Sequence, residues 1–359
     1  MFVYVGGYTE PDRRGRGEGI CVFAMDESSG QLEAVQVQRD VPNPSFLAVA
    51  PDGRFLFCVN GGDANGASAF AIEPASGTLT ALNRQDVGSK NPAHICVAPD
   101  GRYVLTANYS GGTVSVLRIG DDGRLGPPTQ VLHHEGPTGP NTRRQDMPHP
   151  HMAVFDPTGR FVLVNDLGLD RTFVYRLENG QLVANEPPFG QARRGAGPRH
   201  AAFHPNGRFL YVINELDSTL AAFAWDAERG TLEEVEHAST LPEGFTGEST
   251  TAQVVVAPSG QFVYGSNRGH DSIAIFAIDQ TTGHLTPRGH EPTQGHTPRN
   301  FDIDPDGRFL YAANQGSDSL VTFRIDDRSG GLAPTGQVVR VGSPSCVVFR
   351  RASYAHAVG

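Results

Sequence analysis

The sequence predicts an all-β fold, a seven-bladed β-propeller, from three observations. A short phrase recurs six times along the 359 residues, the same kinds of apolar segment flank every copy, and the chain ends supply the pieces of a seventh unit. Units of about 50 residues with four short strands are typical of propeller blades. The repeat therefore predicts both the strand content and the number of blades.

The recurring phrase is proline, any residue, glycine, then arginine or glutamine. It begins at Pro51, Pro99, Pro157, Pro205, Pro258 and Pro305, at intervals of 48, 58, 48, 53 and 47 residues. Proline presets φ and glycine accepts a positive φ, so the phrase predicts a tight turn between two strands. Apolar runs stand on both sides of each copy, and a third run and a glycine-leucine phrase follow. These runs predict four antiparallel strands per blade.

The chain ends predict how the ring closes. The tail VGSPSCVVFR has the pattern of a first strand without partners, whereas the head contains three strands without a first, FVYVGGYT, GICVFAMD and QLEAVQV. Joining the N- and C-terminal strands in one shared blade would close the ring and leave no free sheet edge. No linker or low-complexity tract interrupts the chain, so residues 1–359 are expected to form a single propeller domain.

Composition and charge narrow the classes of partner. The formal net charge is −10 and no basic run is present, which argues against nucleic acid or an anionic membrane as partner. The sequence has no basic leader and no apolar segment of membrane-spanning length, so we expect a cytoplasmic protein. We also expect a monomer or a weak homodimer. The scattered cysteines are predicted to be buried free thiols: Cys21, Cys58, Cys96 and Cys346.

Alignment of the turn phrases predicts that two sets of strand ends meet at one mouth of the central channel. The first strand of a blade lines the channel, and its start is predicted at Pro44, Pro92, Pro150, Pro198, Thr251, Pro298 and Pro344. The second strand is predicted to end at Asn60, Asn108, Asp166, Asn214, Asn267 and Asn314. We expect these polar side chains to bind backbone groups in the turn that follows. Antiparallel pairing places both sets of ends side by side.

Residues that serve only the fold should recur from blade to blade, so those that break the pattern are candidates for function. Along the first strands the exceptions are His151, Arg199 and Arg299, and the further substrate-binding candidates are His94, His200, Gln253 and Asn300. After the second strands they are Tyr109, Glu215 and Arg268. His149 shares a strand face with His151 by the two-residue period. Arginines, a carboxylate and histidines around one mouth predict an anion-binding pocket with a general base.

Structural alternatives remain open for the charged candidates. Arg199 and Arg268 could simply pair with Glu215 in a structural ion pair. His151 could serve the fold by hydrogen-bonding the channel backbone. Both alternatives compete with direct contact to a substrate.

Other histidines invite a metal hypothesis. The HPH phrase of His149 and His151 suits metal ligation, but no companion carboxylate or cysteine motif accompanies it, so no metal is predicted. His133 and His134 lie in the longest interval between turn phrases, and we expect both to be solvated loop residues.

Several long phrases are distinctive as they stand. They include YVGGYT, ANYSGGTVSVL, RRQDMPHPHMAVFDPTGR, GPRHAAFHPNGRFLYVINELDSTL, GQFVYGSNRGHDSIAIF and HTPRNFDIDPDGRFLY. Together they resemble the lactonase family of seven-bladed propellers, over essentially the whole chain. That family includes bacterial propeller-type 6-phosphogluconolactonases and fungal carboxymuconate-lactonising enzymes. The resemblance implies lactone chemistry without a redox cofactor.

The resemblance also implies roles for four residues. Site residues proposed for the muconate-lactonising members lie in the phrases PHxH, GPRH, NEL and SNRG, which place them here at His151, Arg199, Glu215 and Arg268. The resulting hypothesis is hydrolysis of 6-phosphogluconolactone, a step of the pentose phosphate pathway. The arginines would bind phosphate and polarise the lactone carbonyl, and Glu215 or His151 would be the general base.

Two rival functions remain open. One is another lactone chemistry, either cyclisation of a muconate-type diacid or hydrolysis of an unphosphorylated sugar lactone. The other is a non-enzymatic propeller that binds ligands or proteins, which predicts recurring exposed aromatic residues on the blade rims. One departure affects substrate detail: many bacterial relatives have a glutamate where this chain has Gln253, so a carboxylate is lost near the mouth.

Overall fold

The computed structural model describes residues 1–351 and confirms the seven-bladed β-propeller. Within this range, 28 strands form seven antiparallel four-stranded sheets, and the only helices are four short 3-10 turns. The prediction of a single domain over residues 1–359 stays a prediction, since residues 352–359 lie outside the described range.

The blades follow one another along the chain. Blade 1 begins with β1 (Phe2–Gly7), β2 (Ile20–Met25) and β3 (Leu32–Gln38). Blade 2 comprises β4 (Pro44–Val49), β5 (Phe55–Asn60), β6 (Gly66–Ile72) and β7 (Leu79–Asp86). Blade 3 comprises β8 (Pro92–Val97), β9 (Tyr103–Asn108), β10 (Thr113–Ile119) and β11 (Leu125–His133). Blade 4 comprises β12 (Pro150–Phe155), β13 (Val162–Asp166), β14 (Arg171–Glu178) and β15 (Gln181–Gln191).

The remaining blades repeat this order. Blade 5 comprises β16 (Pro198–Phe203), β17 (Phe209–Asn214), β18 (Thr219–Asp226) and β19 (Thr231–Ser239). Blade 6 comprises β20 (Thr250–Val256), β21 (Phe262–Arg268), β22 (Ser272–Ile278) and β23 (Leu285–Pro292). Blade 7 comprises β24 (Pro298–Ile303), β25 (Phe309–Asn314), β26 (Ser319–Ile325) and β27 (Leu332–Arg340), and β28 (Pro344–Arg350) returns to blade 1. The 3-10 turns are Pro11–Arg13, Gly62–Ala64, Tyr109–Gly111 and Gln315–Ser317.

The two chain ends share blade 1, as predicted. Strand β28 lies antiparallel to β1, with Phe2 opposite Arg350 and Gly6 opposite Cys346. The first strands of neighbouring blades contact one another around the whole ring, including β24 with β28 and β28 with β4. The junction therefore leaves no unpaired edge between the ends of the chain.

The hydrophobic core lies between the blades. Each of the seven clusters within residues 1–351 combines side chains of two neighbouring blades, such as Tyr211 of blade 5 with Phe276 of blade 6. The Tyr211 hydroxyl also donates to the carbonyl of Gly283 in blade 6, at 3.1 Å. Equivalent tyrosine–glycine bonds link Tyr4 to Gly77, Tyr264 to Gly330 and Tyr311 to Gly30. Blade-to-blade packing thus fixes the ring that carries the channel.

Replacing Gly283 by alanine is expected to weaken this packing. Gly283 has a φ of +77°, and an added Cβ would lie 2.5 Å from Cδ1 of Phe209. The left-handed conformation alone costs an alanine about 1–2 kcal/mol, and the clash adds to it. Urea unfolding of Gly283→Ala and Gly101→Ala provides the measurement. Gly101 has a φ of +71° with nothing within 4 Å of the added Cβ, so equal losses would contradict the role of the Phe209 contact.

Among the polar side chains that end the second strands, only Asp166 binds the partners that were predicted. Asp166 accepts hydrogen bonds from the N–H groups of Gly168 and Leu169, at 3.0 and 3.1 Å, in the turn that follows, as expected. The prediction is wrong for the asparagines within the described range. Asn60, for example, donates to the carbonyl of Pro42, ahead of the first strand. The residue after the asparagine makes a backbone hydrogen bond at this point instead. Its N–H donates to the carbonyl of the residue just before the first strand.

The prediction for His134 is wrong, whereas the prediction for the cysteines is confirmed in part. The ring of His134 lies 2.7 Å from Asp166 Oδ2, and both side chains are fully buried. A buried imidazole needs such a polar partner, so His134 is part of the fold rather than a solvated residue. His133 is exposed, as predicted, but ends β11. All four cysteines are free thiols, although Cys21 and Cys96 are only partly buried.

Candidate active site

Three of the first-strand candidates, His151, Arg199 and Arg299, occupy β-bulges. In blade 4, Pro150 pairs with Asp166 and Met152 with Asn165, which leaves His151 without an opposite residue. The same shift in register occurs at Arg199 in blade 5 and at Arg299 in blade 7. A bulge interrupts the two-residue alternation and re-aims its extra side chain. The bulges bring His151 and Arg299 to the cavity wall at the mouth, whereas Arg199 is buried against Glu215.

Backbone hydrogen bonds hold the ends of the second strands at the same mouth. The N–H of Glu215 donates to the carbonyl of Gly197 at 2.8 Å, and that of Tyr109 to the carbonyl of Asn91 at 3.0 Å. Both acceptors lie directly ahead of a first strand. In blade 6, Arg268 is itself the last residue of β21, opposite Thr250. The predicted convergence of the two sets of strand ends is confirmed.

Glu215 lies at the centre of an arginine cluster. One carboxylate oxygen, Oε2, is 2.8 Å from Arg199 Nε and 3.1 Å from Arg268 Nη2. The other oxygen accepts a hydrogen bond from Arg144. Arg268 donates in addition to the carbonyl of Thr251, at 2.7 Å. The alternative that Arg199 and Arg268 pair with Glu215 is therefore realised in the structure.

The cluster fixes the protonation state of Glu215. Burial by itself would raise the pKa of this carboxyl, but Arg268, Arg199 and Arg144 outweigh burial and hold the pKa well below its usual range. The carboxylate is thus charged at neutral pH, and both of its oxygens accept hydrogen bonds from guanidinium groups. A carboxylate in this state is a weak base, so the geometry favours Glu215 as the residue that orients the arginines.

His151 has a different environment. Its ring is 5% exposed and lines the cavity at the mouth. The ring centroid lies 5.6 Å from that of Tyr109 and 5.1 Å from that of His200, both edge to face. Burial, followed by the charges of Arg199 and Arg299, lowers the pKa of His151 well below its usual value. The imidazole is therefore neutral at neutral pH, although the same surroundings make it a weaker base than a free imidazole.

Tyr109 and His149 form a stacked pair at the edge of the cavity. Their ring centroids are 4.2 Å apart with an interplanar angle of 13°. His149 Nδ1 lies 2.8 Å from the carbonyl of Tyr109, and Nε2 lies 2.9 Å from Asp146 Oδ1. The Tyr109 hydroxyl accepts a hydrogen bond of 3.2 Å from Arg144. Tyr109 lines the cavity, whereas His149 packs against the Tyr109 ring and does not line the cavity.

The remaining predicted residues belong to first strands and are absent from the cavity wall that the described residues form. His200 Nδ1 contacts Gln253 Oε1, and the ring of His94 lies 5.6 Å from that of His200. Asn300 accepts a hydrogen bond of 2.9 Å from the backbone N–H of Val347, which joins β24 to β28. Across the described part of the chain, no group of three or more histidine, cysteine or acidic side chains is arranged to hold a metal ion.

The cavity has a volume of about 330 Å³, within the size range of small-molecule sites. Its wall consists of Tyr8, Arg13, Asn91, Pro92, Ala93, Tyr109, Ser110, Arg144, His151, Glu215, Arg268 and Arg299. Four arginines and one carboxylate therefore face this space, although the whole chain carries a formal net charge of −10. A concave cationic site of this kind attracts and concentrates anionic ligands.

Among the wall residues that were not sequence candidates, those with a phenol or guanidinium group are Tyr8, Arg13 and Arg144. Tyr8 and Arg13 belong to the connection between β1 and β2, which covers residues 8–19 and is longer than its counterparts between the second and third strands of blades 2–7. Arg144 lies in the interval of 58 residues, the longest between turn phrases. Long connections often carry functional residues, so the lengths were a usable signal. Which side chains turn inward depends on the folded loops.

The chain is similar to known proteins along most of its length. The family model for the lactonase, 7-bladed beta-propeller family matches residues 2–349. The 6-phosphogluconolactonase of Bacillus subtilis is 37% identical over 302 residues, which is 84% of each chain. That of Formosa agariphila is 32% identical over 311 residues, 84% of this chain and 86% of the relative.

The solved structures give the same result. The structure of PpgL, a periplasmic gluconolactonase of Pseudomonas aeruginosa, superimposes with a TM-score of 0.90 at 34% identity, covering 98% of this chain and 99% of PpgL. The match with the family model and the identity to curated relatives both extend over most of the chain. This protein therefore belongs to the lactonase family of seven-bladed β-propellers.

Proposed function

We propose that the protein hydrolyses a phosphorylated sugar lactone, 6-phosphogluconolactone, to the open-chain acid. The observation that carries the proposal is a cationic cavity that contains a neutral imidazole, His151, beside the arginine cluster around Glu215. Relatives named 6-phosphogluconolactonase and gluconolactonase support the same class of reaction. No redox cofactor enters this chemistry.

In the proposed reaction, His151 is the general base. Its neutral ring accepts a proton from a water molecule while the water oxygen bonds to the lactone carbonyl carbon. The tetrahedral intermediate then collapses, the bond between that carbon and the ring oxygen breaks, and the imidazolium returns its proton to the departing oxygen. One water is consumed, and the product is a hydroxy acid that ionises at neutral pH.

The arginine cluster stabilises the negative charge that develops on the carbonyl oxygen. Arg268 lines the cavity, and its side chain is 14% exposed. Glu215 and the carbonyl of Thr251 hold this guanidinium in place before substrate binds. A preoriented cation needs little reorganisation in the transition state, which is the main source of electrostatic catalysis.

Hydrolysis of 6-phosphogluconolactone, generated in place and compared with its spontaneous rate, tests the proposal. The wild-type protein is expected to accelerate the reaction, and Arg268→Gln to lose about 100- to 1,000-fold in kcat, as for the loss of an oxyanion-stabilising donor. Arg288, an exposed arginine of β23, supplies the matched control Arg288→Gln. If the wild type accelerates neither this lactone nor glucono-δ-lactone, hydrolysis is discarded.

The pH profile provides a further prediction. Because the folded protein lowers the pKa of His151 below the ordinary 6.5, the imidazole stays neutral as the pH falls through 6.5. The acid limb of kcat/KM is therefore expected below pH 6.5, and activity is retained above it. A limb centred at or above pH 6.5 would show that another group, or a His151 with an ordinary pKa, controls the step.

One observation bears on the rival binding propeller. Within residues 1–351 the exposed large hydrophobic side chains are Val35, Val183 and Val338, and none is aromatic. Recurring aromatic residues on the rims, which a protein-binding propeller would require, are thus missing from this range.

No helix of the described residues is long and apolar enough to cross a membrane. A cytoplasmic location and a monomer or weak homodimer stay predictions.

A further inference from the structure

The arginines of the cavity fall into two groups. Arg144 and Arg268 face the cavity and contact Glu215. Arg13 and Arg299 also face it, but neither has a carboxylate within ion-pair distance among residues 1–351. Neither guanidinium is therefore held in a direct ion pair by a carboxylate of the described residues.

Arg13 and Arg299 both lie near one aromatic residue, Tyr8. The guanidinium carbon of Arg299 is 5.4 Å from the ring centroid of Tyr8, and that of Arg13 is 5.9 Å from the same point. Burial alone would raise the pKa of the Tyr8 hydroxyl, but the charges of Arg299, Arg13 and Arg199 outweigh burial and lower it. The surroundings of Tyr8 thus favour negative charge.

We infer that Arg13 and Arg299, together with the Tyr8 hydroxyl, form the subsite for the phosphate group of the substrate. This inference rests on the proposed function. A phosphate dianion requires donors whose charge is not already compensated, and guanidinium groups match phosphate oxygens in geometry. Arg144 and Arg268 are held in place by the Glu215 carboxylate. They serve the reacting carbonyl instead.

The position of the subsite in the ring fits this division. Tyr8 and Arg13 follow the second strand of blade 1, and Arg299 is the second residue of the first strand of blade 7. His151 belongs to blade 4, which faces blades 7 and 1 across the axis of a seven-membered ring. The phosphate would thus be held on the side of the mouth that lies across from the general base.

The loop that carries Arg13 is fixed before substrate binds. Asn43 Oδ1 accepts hydrogen bonds of 2.9 Å from the N–H groups of both Thr9 and Glu10. Asp12 accepts hydrogen bonds from Asn43 Nδ2 at 3.1 Å and from the N–H of Asp63 at 3.0 Å. Arg16 closes the far end of the loop through Asp318, at 2.7 Å. Preorganised charges bind a ligand without a further cost of ordering.

Kinetics with a matched pair of substrates test the subsite. The ratio of kcat/KM for 6-phosphogluconolactone to that for glucono-δ-lactone is expected to fall about 10- to 100-fold in Arg13→Gln and in Arg299→Gln, as for the loss of a charged hydrogen bond. Arg14→Gln is the control, because Arg14 is the adjacent exposed arginine of the same loop and does not line the cavity. Its ratio should match that of the wild type. An unchanged ratio in Arg13→Gln and Arg299→Gln would overturn the inference.

A binding measurement separates this inference from the proposed function. Calorimetry with 6-phosphogluconate and gluconate requires no turnover. The wild type is expected to bind 6-phosphogluconate more tightly, and Arg13→Gln and Arg299→Gln to lose that preference. If the wild type hydrolyses neither lactone but shows this pattern, the proposed function fails and the subsite stands. If both acids bind equally to the wild type, the subsite is wrong even where hydrolysis occurs.

Discussion

Replacing His151 by asparagine is expected to lower kcat for lactone hydrolysis by about 100- to 10,000-fold, the usual contribution of a positioned general base. The imidazole lines the cavity, and its lowered pKa keeps it neutral at neutral pH. Asparagine keeps a polar side chain in this position but cannot accept a proton from water at neutral pH. Initial rates, corrected for spontaneous hydrolysis, provide the measurement.

The matched control for this variant is His133→Asn, because His133 is exposed at the end of β11 and does not line the cavity. Thermal unfolding of both variants checks that the fold is retained. Activity of His151→Asn within a few fold of the wild type would reject His151 as the base. In that case Glu215 would be examined next.

Replacing Glu215 by glutamine is expected to destabilise the fold by about 3–5 kcal/mol, because removal of one partner from a buried ion pair leaves an uncompensated buried charge. Arg199 is the partner concerned, with a side chain only 3% exposed. The Arg268 guanidinium also loses its anchor, so kcat should fall together with stability. Urea unfolding of the two proteins measures the difference.

An exposed ion pair supplies the control for this substitution. Glu228 pairs with Arg160 at 2.9 Å but is 84% exposed, so Glu228→Gln should leave the unfolding midpoint nearly unchanged. Equal effects of the two substitutions would contradict the structural importance of the buried cluster.

The contribution of the Glu215 cluster to the stability of the fold depends on pH. The folded state lowers the pKa of Glu215 below the ordinary 4.5, so its contribution to stability is fully present above pH 4.5 and is lost as the pH falls below that value. Glu215→Gln should therefore lose less stability than the wild type between neutral pH and pH 3. If both proteins respond alike to acid, Glu215 is not held as a charged partner.

The sequence alone determined the architecture of this protein. Its turn phrase marks the boundary between first and second strands, and the incomplete ends predict closure through blade 1, which β28 and β1 confirm. Alignment of the repeats also gave the strand ends that meet at the mouth, and with them His151, Arg199 and Glu215. This worked because strand and turn formation depend on neighbouring residues, and because the repeat shows which residues the fold alone requires.

The tertiary structure decided which side chains share the cavity and which state they adopt. Tyr8, Arg13 and Arg144 lie in connections whose paths depend on contacts with distant segments, such as the hydrogen bond from Arg13 to Asn91 of the next-but-one blade. The pairing of Glu215 with three arginines likewise requires residues from separate parts of the chain. Burial and charge at these positions are properties of the closed ring. No local pattern contains them, because they arise only when the blades meet.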